Sequence, residues 1–115
     1  MRAMTLVLLL AFASVPLAAG QTEAEIEYLL QYVSDSGCAF NRNGSEHDSA
    51  DAADHLRLKY SRGRRYVDSA EQFIDRLATE SSWTGRTYTV NCEGRTQPSG
   101  PWLHQALTEY RNTGL

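Results

Sequence analysis

The sequence predicts one small α+β domain: about four helices, an antiparallel sheet of about three short strands, and one disulfide. Three observations carry this prediction. Apolar residues recur at helical spacing in four segments. An Asn43-Gly44 pair and an alternating run that ends at Cys92 mark strands. The 115 residues hold two Cys, Cys38 and Cys92, in a chain too short for two domains or a dinucleotide fold.

The chain opens with Arg2, an apolar run from Leu6 to Leu17, Pro16 near its end, and Ala18-Ala19-Gly20. That order of positive start, apolar stretch and small residues predicts a secretory signal over residues 1–20, cut before Gln21, with a single domain over 21–115. The apolar run is too short for the ~20 residues that span a bilayer, so no membrane span is expected. Export places the domain in the periplasm, where thiols oxidise.

Thr22 with Glu25 reads as a capping box that opens a first helix. Ile26, Leu29, Leu30 and Val33 form its apolar stripe, Tyr28 and Tyr32 fall beside it, and Gly37 ends it. In Cys38–His47 the Asn43-Gly44 pair predicts a two-residue hairpin turn, with Cys38 and Phe40 on one side. Asn43-Gly44-Ser45 also matches a glycosylation sequon, but the turn accounts for these residues without it. A second helix runs from about Ser49 to Tyr60, capped by Asp48 or Ser49, with Ala52, Ala53, Leu56 and Tyr60 as its stripe. Ser69 with Gln72 caps a third, carrying Ala70, Phe73, Ile74, Leu77 and Ala78. Thr84-Gly85 breaks the chain before a strand over Arg86–Cys92, in which Tyr88, Val90 and Cys92 share a side. Glu93–Gly100 reads as a Gly/Pro loop. Pro101 opens a fourth helix with Leu103, Ala106, Leu107 and Tyr110 inward, Trp102 at the edge, and a frayed end from Asn112 to Leu115.

Cys38 and Cys92 both point inward in this scheme, which favours a disulfide between them. A loop of this length is worth up to about 4 kcal/mol in the chain-entropy model. A redox pair or a metal thiolate remains as the alternative, although no C-x-x-C spacing is present. Net charge is −3, or −4 once Arg2 is removed with the leader, which excludes a strongly basic nucleic-acid binder.

The ordered set Gly37-Cys38-x-Phe40-x-Arg42-Asn43-Gly44, His55-Leu56-x-x-Lys59-Tyr60, Ser81-Ser82-x-Thr84-Gly85-x-x-Tyr88 and Cys92, then Trp102-Leu103, resembles the YfeK-like family of small exported bacterial proteins. The match runs over about residues 22–112. The resemblance implies a periplasmic single-domain protein and supplies no activity, substrate or cofactor. It also implies aromatics after the Asn-Gly turn, where this chain has Glu46 and His47.

Several residues carry chemistry. His47, Asp51 and His55 form a candidate metal set, outside any recognised zinc spacing. His55 with Ser81, Ser82 or Thr84 contains the residue types of a hydrolase but no nucleophile elbow. Arg62, Arg64 and Arg65 cluster around Gly63 and suit a phosphate or an acidic partner. Tyr28 and Tyr32 are a candidate contact face. The expected function is a non-enzymatic binding module of the cell envelope, without cofactor, contacting an envelope protein or small ligand through Tyr28, Tyr32, His55, Arg62, Arg64 or Arg65. The alternative is a small hydrolase or metal binder using His55 with nearby Asp and Ser residues.

Overall fold

The computed structural model describes residues 17–113. The leader reading falls, through residue 16, outside the described residues, as do the last two positions of the expected frayed end. The chain forms α1 (Leu17–Asp35), β1 (Ala39–Arg42), β2 (Ser45–His47), α2 (Ser49–Gly63), a 3₁₀ turn (Arg64–Tyr66), α3 (Ala70–Phe73) continued by a π-helical turn (Ile74–Ala78), β3 (Thr89–Cys92), β4 (Arg95–Pro98) and α4 (Ser99–Thr113). The architecture is α+β, and the sheet has four strands rather than three, in the order β2-β1-β3-β4 and antiparallel throughout.

The extra strand is β4, in the segment read as a Gly/Pro loop. Glu93 and Gly94 stand at φ 54° and 81°, which makes the β3–β4 connection a second two-residue turn like Asn43-Gly44 at φ 53° and 82°. All four β4 residues are exposed and the last is Pro98. An edge strand with no buried face shows no alternation, and a proline is tolerated there because its missing N–H is not needed.

α1 begins at Leu17, so Thr22 lies inside the helix instead of capping it. α2 starts as expected: the Asp48 carboxylate accepts from Asp51 N at 2.8 Å. Ser69 caps α3 by accepting from Gln72 N, and the Gln72 amide oxygen reaches back to Asp68 N. The expected stripes are buried, including Ile26, Leu29, Leu30 and Val33 of α1, Ala52, Ala53, Leu56 and Tyr60 of α2, and Leu103, Ala106 and Leu107 of α4. They close over the sheet face that carries Phe40 and Val90.

Cys38 and Cys92 are joined. The register Ala39↔Asn91 puts them directly opposite one another at the end of the β1–β3 ladder, with Cα atoms 4.7 Å apart. Trp102 is buried instead of marginal: it packs edge-on against Phe40 and tilted against Tyr32. Where the π turn meets α4, the Ser99 hydroxyl donates to Ala78 O at 2.5 Å, Ser99 N to Tyr88 O, and Tyr88 N to Thr79 O. This backbone ladder fixes the position of Tyr88.

Candidate functional site

α2 is amphipathic in an informative way. Its buried stripe faces the core, and along the edge of that stripe His55, Lys59 and Arg62 recur at i, i+4 and i+7. Across from them the β1–β3 register, extended one step beyond Asn41↔Thr89, sets Arg42 beside Tyr88. The third wall is the loop after the π turn. These three parts enclose a groove of about 380 Å³ lined by Arg42, Asn43, His55, Leu58, Lys59, Arg62, Leu77, Ser81, Ser82, Trp83 and Tyr88.

The loop wall is tied down by its own polar groups. The Ser81 hydroxyl, 5% exposed, accepts from Trp83 N at 3.2 Å and Thr84 N at 3.3 Å. Asn43 bridges the two loops, donating to Ser81 Oγ at 3.2 Å and accepting from Thr84 Oγ1 at 2.7 Å. The residues of the R-N-G and S-S-x-T-G segments thus meet through Asn43, Ser81 and Thr84. The serine satisfies loop amides.

Lys59 stands at the centre. Its ammonium donates to Tyr88 OH at 3.1 Å and to Glu80 O at 3.2 Å, and lies 4.9 Å from the Tyr88 ring centre. Burial lowers its pKa to about 8, Arg42 adds to the effect, and Glu80 opposes it. His55 Nε2 is 3.5 Å from the same Tyr88 hydroxyl. Burial first, then the charges of Arg42, Lys59 and His47, hold its pKa down at about 4, so the imidazole is neutral at pH 7. Burial raises the Tyr88 phenol, which stays protonated. No carboxylate lines the groove. Elsewhere Arg57 pairs with Glu27, Arg64 with Glu23, and Arg111 with Glu25 and Glu71. Trp83, 97% exposed, and Leu58, 45% exposed, put apolar surface at the rim. Inward of His55 and Tyr88 lies a separate apolar void of about 30 Å³, sized for a water rather than a ligand.

Of the residues singled out from sequence, His55, Arg62, Ser81 and Ser82 line this groove. Arg62 also borders a shallow depression with Ser61, Arg64 and Arg65. There Arg64 lies over the Tyr60 ring and Arg65 over the Tyr66 ring. Tyr28 and Tyr32 lie elsewhere and are half-buried: Tyr28 stacks on Tyr110 with centroids 4.2 Å apart, and Tyr32 packs on Trp102. They clamp α1 to α4 and border an opening of about 520 Å³ beside the disulfide. Among the described residues, no group of three or more His, Cys, Asp and Glu converges as a metal site, so His47, Asp51 and His55 do not form one. Sequence reasoning missed Arg42, Lys59, Tyr88 and Trp83 as site residues. The early signals were the i, i+4, i+7 recurrence of His55, Lys59 and Arg62 and the places of Arg42, Lys59 and Tyr88 in the family motifs; Trp83 had neither.

The fold and groove define a small disulfide-braced α+β domain with a cation-lined depression of ligand size. The chain belongs to the family described as "Family of unknown function (DUF5329)", whose model matches residues 20–111. It is 43% identical over 67 residues to "Uncharacterized protein YfeK" of Salmonella typhimurium, a match covering 57% of this chain and 56% of that one. The resemblance to YfeK-like proteins is thereby borne out, and the matched segment spans a little over half of that relative. No solved structure matches the chain. Among the described residues, no helix is long and apolar enough to cross a membrane.

Proposed function

We propose that this protein is a non-enzymatic binding module of the cell envelope, and that the groove between α2 and the Ser81–Gly85 loop holds a negatively charged ligand. One observation carries the reading. Arg42, Lys59 and Arg62 share a depression without a carboxylate, in a chain whose net charge is −3. Burying part of a lysine among arginines costs stability, and an anion is the partner that offsets such a cost. Export is part of the proposal, with residues 1–20 as the removable leader. The disulfide supports it.

Titration with inorganic phosphate and acetate, followed by indole fluorescence, tests the groove. Saturable binding that weakens in Lys59→Gln is expected. Failure of both anions to saturate would remove the proposal. Fractionation with intact mass tests export, for which an envelope species beginning at Gln21 is expected. The hydrolytic alternative centres on His55, which is neutral at pH 7 and shares the groove with Ser81. Its difficulty is that Ser81 Oγ already accepts from two amides and the Asn43 side chain.

A further inference from the structure

Trp83 is a side chain that its own fold does not use. The indole is 97% exposed, yet the backbone beneath it is held by several hydrogen bonds. Trp83 N is held by Ser81 Oγ, Gly85 N by Ser81 O at 2.9 Å, Ser81 N by Arg86 O at 2.9 Å, and Thr84 Oγ1 by Asn43. The cost of ordering this loop is therefore met before any ligand arrives, and the indole is presented in advance. An indole face attracts either a cation or the flat side of a ring. Arg42, Lys59 and Arg62 line the same groove and repel a cation, which leaves a ring. The volume, about 380 Å³, lies in the small-molecule range.

Resting on the anion-groove reading above, we propose that the ligand is an organic anion in which a phosphate or carboxylate is joined to a ring, the ring lying on Trp83 and the charged group meeting Lys59 with Arg42 and Arg62. Leu58, 45% exposed, supplies a second apolar contact at the rim. Asn43 and Ser81 do not read the ligand, because their side chains are occupied with each other and with the loop.

Calorimetric titration of the oxidised, leader-free protein separates the two readings. The probes are inorganic phosphate, glucose 6-phosphate, uridine monophosphate, benzoate, and the neutral compounds glucose and uridine. Ring stacking predicts that at least one ring-bearing anion binds roughly 5- to 150-fold more tightly than inorganic phosphate. Trp83→Ala should abolish that advantage while leaving phosphate binding intact, and Trp83→Phe should keep most of it. Whichever probe gains most identifies the ring as sugar, base or arene. Trp83 is solvent-exposed, so the substitutions leave Tm unchanged and the comparison is between folded proteins. Equal affinity for inorganic phosphate and every ring-bearing anion, unaffected by Trp83→Ala, would overturn this inference and leave the anion groove standing. Binding of none of the anions would overturn both.

Discussion

Glu93 occupies the left-handed region, φ 54°, at the first position of the β3–β4 turn, where Asn43 serves the corresponding role in the other hairpin. A β-carbon makes that conformation unfavourable, and asparagine tolerates it best among residues with side chains. Glu93→Asn should therefore stabilise the protein by about 0.5–1 kcal/mol, read as a rise in Tm of roughly 2–6 °C. The same fact explains why this hairpin was not legible in the sequence: Asn43-Gly44 announces its turn, whereas Glu93-Gly94 has an ordinary glutamate where the signal should be. His55 gives a second prediction at this scale. The unfolded chain takes up a proton on it near pH 6.5, and the folded chain does so only near 4. Between those values the unfolded state holds more protons, so stability falls as the solution is acidified and levels off below about 4. After allowing for screening by water in the groove, the loss is about 1–2 kcal/mol. Urea melts from pH 7 to 4.5 should show it in the wild type and a flatter dependence in His55→Gln. Equal slopes would mean that the imidazole is as well solvated in the fold as outside it.

Elements meet most tightly where the π turn touches the start of α4. A β-carbon on Gly100 would stand 2.9 Å from Thr79 Oγ1, closer than packed atoms tolerate. Thr79 is itself held, donating to Ile74 O at 2.8 Å across the π turn. Gly100→Ala should cost about 1–3 kcal/mol through overpacking. Thr79→Ala removes the offending oxygen and leaves its own β-carbon 3.7 Å away, an ordinary contact. The double variant should therefore be more stable than the sum of the two single losses requires, and a double-mutant cycle by chemical denaturation measures the difference. Strict additivity would show that Thr79 is not what limits position 100. The same elements show how far sequence reading reaches. Four helical stripes, the Asp48 and Ser69 caps and the first hairpin follow from local spacing, because each depends on residues within a turn or two of one another. The π turn has no pattern of its own, since Ile74, Leu77 and Ala78 fit an α-helical stripe equally well. The groove depends on the β1–β3 register, which brings Arg42 to Tyr88 from 46 positions away, and on a loop whose Trp83 belongs to no periodic segment. His55 and Arg62 were recognisable as unusual, but what they face was not.

For the whole molecule the decisive bond is Cys38–Cys92, which joins two segments 54 positions apart. It sits where the chain most needs joining. α1, β1, β2 and α2 precede one sulfur's partner strand, and β3, β4 and α4 gather around the other. The noncovalent links across that division include the Tyr28–Tyr110 and Tyr32–Trp102 ring pairs and the Arg111 pairs with Glu25 and Glu71. Of these ion pairs Arg111–Glu71 is exposed on both sides and contributes little in water, whereas Glu25 is largely covered. A loop of 54 positions is worth about 4 kcal/mol by chain entropy, against a total of roughly 5–15 kcal/mol for a domain. Both sulfurs are half-buried against the core, so reduction leaves the packing atoms in place and removes chiefly the tether. Reducing the purified protein should lower the urea midpoint by roughly 2 M, corresponding to a loss of about 2–4 kcal/mol. The Cys38→Ala/Cys92→Ala variant should lose at least as much, since it forfeits the contacts of both sulfurs as well. A midpoint indifferent to reductant would mean that the ring pairs and the core hold the two halves without covalent help. In that case the disulfide would lose its force as an argument for an oxidising compartment.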